Sequence, residues 1–410
     1  RLEAILSYEN AISVAEATEN SPLDDDIKDL LPKLIFSDES ADRQKKLRKH
    51  QAEALNTSIS SPGSNPVVTS GTGSGKTESF LLPLIASLLQ EAKSWPIDPE
   101  VNRWWEPSAR GSKWLPYRSE GSRAAMRSMI LYPTNALVED QISRLRRILR
   151  PLHEQIYDVA PIYFGRYTGQ TIGSRVPPIG KVLKWNDLET AKQVEDIERT
   201  QNIVRDSKVD PSVQYEFPTH RFGELLTRWD IISTPPDILI TNNSMLNVML
   251  AREDENPIFE STKRWLSESK DHKFHLIVDE LHSHRGTAGT EVALVIRTLL
   301  NRLGLDGESD QLRCIATSAS LPADESDYRN PLKYLEEFFG VSRTKFKLIT
   351  GNPLIPKNNS LIDGKELSDN IKSAQTQTEK SEIDKKFKLA DALAHAMDKD
   401  PNGSMLPTTM

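Results

Sequence analysis

Cysteine is nearly missing from this chain: Cys314 is the only one in 410 residues. A disulfide within the chain and a four-cysteine zinc site are both excluded, and a reducing interior is the expected setting. Long hydrophobic runs are missing too. None approaches the roughly 18 apolar residues of a membrane-spanning helix, and Arg1-Leu2-Glu3-Ala4 opens no signal-peptide segment. A cytoplasmic protein with no membrane partner is expected, and the lack of an initiator methionine reads as a piece of something longer. Nor is there an excess of positive charge: 52 Lys and Arg stand against 59 Asp and Glu, a net charge of −7. That balance argues against a generally basic nucleic-acid-binding surface, although a net value averages over local patches. No internal repeat is visible. Aromatic residues thin out after residue 355, where Phe387 stands among many Lys, Asp and Glu; residues 356–410 read as a polar linker or the start of a helical insertion.

What is present is enough apolar sequence, 37% of residues, to bury a substantial core in one large or two ordinary domains. The most informative string is Ser70-Gly71-Thr72-Gly73-Ser74-Gly75-Lys76-Thr77, between the apolar run Pro66-Val67-Val68-Thr69 and a helix-like stretch, Glu78 to Leu89. Strand, glycine-rich loop and helix are the context of a phosphate-binding loop. Its glycines let backbone N–H groups turn toward an anion at the positive end of the helix. Lys76 reaches the outer phosphates and Thr77 offers a hydroxyl to Mg²⁺. Ser70 stands where the strict pattern has glycine.

Beta-like apolar runs alternate with helix-like segments from about 66 to 350, which predicts an α/β fold: a parallel sheet with helices on both faces. The expected strands are Val67–Thr69, Met129–Tyr132, Ile238–Thr241, Phe274–Val278, Arg313–Thr317 and Phe346–Ile349. Residues 1–45 read as a helical, acidic lead-in and 46–355 as the core lobe, with insertions at about 94–127 and 177–229. The first insertion is locally basic. Six Lys and Arg between Arg103 and Arg127 face two Glu, with Trp104, Trp105, Trp114 and Tyr117 interleaved. Such a stretch stacks bases and neutralises phosphates, or is a loop packed down by its own tryptophans. A second basic patch, Arg144, Arg146, Arg147 and Arg150, lies on a helix striped with Val138, Ile142, Leu145 and Leu149.

The apolar run Phe274–Val278 ends in Asp279-Glu280-Leu281-His282. Ligands of open parallel sheets bind at that carboxyl edge. There Asp279 is suited to hold Mg²⁺, and Glu280 to orient and deprotonate an attacking water.

Together these segments resemble the first motor lobe of a superfamily 2 helicase of the DExH type, a RecA-like P-loop NTPase lobe, over about 47–351. Five further pieces carry the resemblance in order. Arg48-Lys49-His50-Gln51 resembles the Q motif, implying that Gln51 reads adenine and selects ATP. Pro133-Thr134-Asn135, in Leu131–Leu137, resembles motif Ia, and Arg144 follows on its helix. Thr168-Gly169-Gln170-Thr171 resembles the TGxT element and Pro236–Asn242, ending in Thr241-Asn242, resembles motif Ib; these segments imply a grip on a single DNA strand or a single/double-strand junction. Thr317-Ser318-Ala319-Ser320 resembles motif III, implying that Ser318, Ala319 and Ser320 couple hydrolysis to lobe movement. The resemblance further implies ATP and Mg²⁺ as cofactors, catalysis by Lys76, Thr77, Asp279, Glu280 and His282, and a second RecA-like lobe, of which no candidate follows Gly351. An isolated lobe would hydrolyse poorly. Details after the phosphate loop and in Asp279–Val292 are similar to the branch holding MrfA-type repair helicases and antiphage helicases such as those of DISARM and Druantia, whose other subunits become candidate partners. A nucleotide-gated DNA-binding module, a duplex translocase without strand separation and a small-molecule kinase are the competing readings.

Overall fold

The computed structural model describes residues 8, 10–36, 41–60, 63–71, 73–95, 101–118, 124–207, 210–284, 286–321 and 330–353. Thr72, Arg123 and the 356–410 tail lie outside them. The chain divides into two compact units, one of Asn10–Ser70 and Gly75–Thr350, the other of Arg1–Glu9, Gly71–Ser74 and Gly351–Met410. In the smaller unit the Gly71 amide donates to the Tyr8 hydroxyl at 3.0 Å, and Tyr8 forms a β-bridge with Pro353.

In the larger unit β1 (Asn10–Ser13) and β2 (Lys46–Arg48) form a short antiparallel pair. The main sheet holds β3 (Asn65–Thr69), β4 (Ser128–Tyr132), β5 (Phe164–Tyr167), β6 (Glu224–Leu225), β7 (Ile238–Asn242), β8 (Phe274–Val278), β9 (Leu312–Ser318) and β10 (Phe346–Thr350). Its order is β10-β3-β9-β8-β4-β7-β5-β6, and every pairing is parallel. All six expected strands are present, and β5 and β6 extend the sheet beyond them. β6 lies inside the 177–229 segment read as an insertion.

Alternation along the strands makes two cores. Met129, Leu131, Leu239, Leu276, Val278 and Ala316 face one side, while Ile130, Ile238, Ile240, Ile277 and Ile315 face the other. Helices Lys76–Ala92 and Asn135–His153 cover the second side, and Asn256–Glu268 and Gly286–Leu303 the first. Both faces are therefore dry, which is why the strands are near-continuous Val, Ile and Leu.

The basic insertion turns out to be structural. Trp104, Trp105, Trp114 and Tyr117 are all buried. Trp104 packs against Trp229 and donates from Nε1 to Asp230, and Trp105 stacks on His220 at 4.1 Å. Their ring faces are unavailable to bases. Arg118 and Arg127 are buried as well, and Arg127 bonds Asp237 at 2.8 Å and Glu91 at 2.7 Å. In the second patch, Arg146 is buried and makes a two-pronged pair with Glu224 of β6 at 2.7 and 2.9 Å. Arg150 binds Glu154 and Tyr215.

His275 of β8 is 6% exposed, and burial holds its imidazole down to about 4. The folded value lies below the ordinary 6.5. Its contribution to stability is therefore complete above that value and is lost as pH falls through 6.5 toward 4. Urea midpoints measured at about pH 7 and about pH 5 should fall less on acidification in His275→Leu than in the parent chain.

Candidate active site

The carboxyl edge of the parallel sheet gathers the motif residues, because each motif begins where a strand ends. Ser70 follows β3, Pro133 follows β4, Thr168 follows β5, Asp279 follows β8 and Ala319 follows β9. Asn242 ends β7. Strand order then divides the edge. β3, β9 and β8 are consecutive and carry the phosphate loop, Ser318–Ser320 and Asp279–His282; β4, β7 and β5 are consecutive and carry Pro133–Asn135, Thr241–Asn242 and Thr168–Gly169.

In the first group, helix Lys76–Ala92 starts behind Gly75, which has φ +72°. The positive φ favours glycine, and a Cβ there would displace the end of the Gln51 side chain. Gln51 itself donates to the Gly75 carbonyl at 3.1 Å and accepts from the Arg48 amide at 3.0 Å. Its amide therefore braces the turn into the helix. Thr77 is partly buried in the helix's first turn. The Ser70 amide donates to the Ser318 carbonyl at 3.1 Å, tying the loop's start to β9.

Lys76 is 8% exposed and its Nζ lies 3.5 Å from Glu280 Oε1. Glu280 adopts a left-handed backbone, φ 53° and ψ 46°. A non-glycine residue held there costs on the order of 1–3 kcal/mol, a strain that clusters at functional sites. Asp279 is 7% exposed, accepts from the Glu280 amide at 2.8 Å and takes a short hydrogen bond from the Thr317 hydroxyl. Burial raises its carboxyl above the ordinary carboxylate value, and the Thr317 bond opposes that rise. His282 Nδ1 lies 3.1 Å from Glu280 Oε2 and 3.4 Å from the Ala319 amide. A protonated Nδ1 serves the carboxylate and a bare one serves the amide, so this ring links the acidic pair to the segment after β9. Ser318 donates to the Ser320 carbonyl at 2.6 Å, closing that segment into a turn.

In the second group, Thr134, Asn135 and Gly169 are exposed and Pro133 and Asn242 partly so. Asn242 donates to Asn135 at 2.6 Å and accepts from the Met245 amide, bridging two of the three segments. Three expected contact residues are placed differently. Thr241 is fully buried and gives its hydroxyl to the Tyr167 carbonyl at 2.6 Å. Thr168 is 1% exposed, and its hydroxyl accepts from the Gln170 amide. Arg144 pairs with Glu78 in the first turn of helix Lys76–Ala92. Thr241 and Thr168 act here as internal ties, whereas Arg144 makes its ion pair from a partly exposed position.

Sequence reasoning gave no role to Thr317 itself, though its neighbours were singled out; its position opposite Val68 on β3 and one residue beyond the β8 pairing puts it beside Asp279. It also missed Asn243, whose amide Nδ2 lies 3.3 and 3.2 Å from the two ring nitrogens of His284, joining the β7 side of the edge to the segment after β8.

Residues 48–174 match the family model described as DEAD/DEAH box helicase. Over these residues the chain is similar to a DEAD/DEAH box helicase domain. The matched part includes Gln51, the phosphate loop, Pro133–Asn135 and Thr168–Gly169, whereas Asp279–His282 lies beyond it. The chain is similar to Druantia protein DruE of Escherichia coli, strain UMEA 4076-1, at 31% identity over 365 residues, covering 78% of this chain and 18% of that protein. An uncharacterized ATP-dependent helicase of Methanocaldococcus jannaschii is 28% identical over 142 residues, covering 34% of this chain and 18% of that protein. The chain thus spans 18% of the length of both curated relatives. Among solved structures, the DUF1998 helicase MrfA bound to DNA and AMPPNP is similar over 96% of this chain and 41% of that one, at 18% identity and a TM-score of 0.44. No helix among the described residues is long and apolar enough to cross a membrane.

Proposed function

We propose that this helicase domain is the ATP-hydrolysing, strand-gripping lobe of a DNA motor in the Druantia-like branch. One observation carries the reading: a single sheet edge bears the nucleotide motifs on β3, β9 and β8 and the strand-holding motifs on the adjoining β4, β7 and β5. The site's own chemistry fits ATP with Mg²⁺. Lys76 Nζ is buried without a hydrogen-bond partner, so an ammonium waits there for oxygen acceptors. Among the described residues no cluster of three or more His, Cys, Asp or Glu is arranged to hold a metal alone. A hydroxyl and one carboxylate, Thr77 and Asp279, suit a Mg²⁺ that is completed by substrate phosphates and waters. Mg²⁺ when bound would offset the charge on the phosphate oxygens. Lys76 would neutralise the outer phosphates, and Glu280 would accept the proton of the attacking water. The exposed backbone and side chains at Thr134, Asn135, Gly169 and Asn242 would hold successive phosphates of one strand.

The complete protein tests this directly. Its ATP hydrolysis should rise several-fold with single-stranded DNA, and a strand-displacement assay run beside a triplex-displacement assay should separate unwinding from duplex tracking. Hydrolysis indifferent to every nucleic acid would overturn the proposal.

A further inference from the structure

The opposite, amino edge of the same sheet holds a cavity of about 510 Å³, within the roughly 300–1,000 Å³ of small-molecule sites. It opens beneath the first residues of β3, β8 and β9, against the carboxyl half of helix Lys76–Ala92. Leu23, Ile59, Pro66, Pro83 and Ile315 give it apolar walls. His275 reaches it from β8 with Nδ1 buried and unpartnered, although the residue is only 6% exposed. A buried imidazole nitrogen with nothing to bond to costs free energy unless a ligand or water meets it.

Two cations share the cavity, Lys273 and Arg313. Burial lowers both, and the charge of Arg313 lowers Lys273 further. Among the described residues neither forms an ion pair; Lys273 Nζ and Arg313 Nη1 donate only to main-chain carbonyls. Of the two lining carboxylates, Glu91 is committed to Arg127 at 2.7 Å and Asp271 is exposed. Asp310 and Asp271 act on these cations only at a distance, so two partly buried cations side by side, neither ion-paired among the described residues, over apolar walls, suit an anion with an apolar body. We propose that this cavity binds a small organic anion, a flat apolar body ending in a carboxylate or phosphate, at a site separate from the nucleotide motifs.

The probe is 2-naphthoate, with 2-naphthyl phosphate as the phosphate arm and 2-naphthalenemethanol as the neutral arm, titrated calorimetrically into the 410-residue chain. Saturable binding of one anion per chain is expected, with the neutral arm about tenfold weaker and each of Arg313→Gln and Lys273→Gln about tenfold weaker. Circular dichroism should show both variants folded. The better of the two anions identifies the head group. Equal binding of the neutral arm, indifference to both substitutions or no saturable binding of either anion would each overturn the proposal.

Discussion

Glu280→Gln is expected to lower DNA-stimulated ATP hydrolysis by the complete protein by about 10²–10⁴-fold, the range for loss of a positioned general base, while ATP binding survives. The geometry gives the second half of that statement its force. Lys76 has two claims on its ammonium, the Glu280 carboxylate 3.5 Å away and the phosphates it is placed to meet. Removing the carboxylate's charge leaves the second claim uncontested, so ATP affinity measured on the 410-residue chain should be unchanged or higher. Shape is also conserved. Glutamine keeps the length of the side chain and the amide–Asp279 bond that helps hold the left-handed turn at position 280. A loss of nucleotide affinity in Glu280→Gln would mean that this residue positions the loop rather than taking the proton. Undiminished hydrolysis would remove it from the catalytic role altogether.

Glu224→Ala is expected to destabilise the chain by about 3–5 kcal/mol, the cost of leaving a buried charge without its partner. Arg146 and Glu224 are both essentially unexposed, and their side chains meet through two parallel hydrogen bonds. Without the carboxylate, the guanidinium keeps only the Tyr215 carbonyl as a described acceptor. The Thr219 amide loses its bond to Glu224 as well. Urea unfolding of the two single variants and of Arg146→Met/Glu224→Leu measures the effect. The double variant should recover most of the loss, since an apolar pair of similar volume needs no counter-charge. A double variant as unstable as the single would show that β6 depends on something other than this pair.

The same residue shows where sequence stops being readable. The six long strands were legible because burial on both faces demands unbroken apolar residues, as in Met129-Ile130-Leu131 and Leu276-Ile277-Val278. β6 is two residues, one of them Glu224, and only an arginine 78 positions away makes that glutamate a strand residue. β5 contains Gly165 and Arg166 and reads locally as a turn. That Lys76 and Asp279–His282 meet at one sheet edge was legible because each motif is a contiguous string at the end of an apolar strand. Which residues of the strand-holding half face outward was not. Thr241 and Thr168 look like phosphate donors in a string of letters, and become internal ties because neighbouring strands supply acceptors for their hydroxyls or donors to them. The tryptophan-rich stretch is similar: its meaning rests on Trp229 and Asp230, more than 110 positions downstream.

The edge that gathers the motifs has a mechanical side. β3, β9, β8, β4, β7 and β5 are joined edge to edge by parallel ladders, at about 4.8 Å per step. Shearing any of them past its neighbour would break several backbone bonds at once, in a core with no water to replace them. The edge is therefore an anvil. Lys76 behind β3, Glu280 behind β8, Asn135 behind β4 and Asn242 at the end of β7 are all carried on this one set of ladders. The side-chain links through His282 and Asn243 cross this edge above the ladders, without any backbone bond of the sheet.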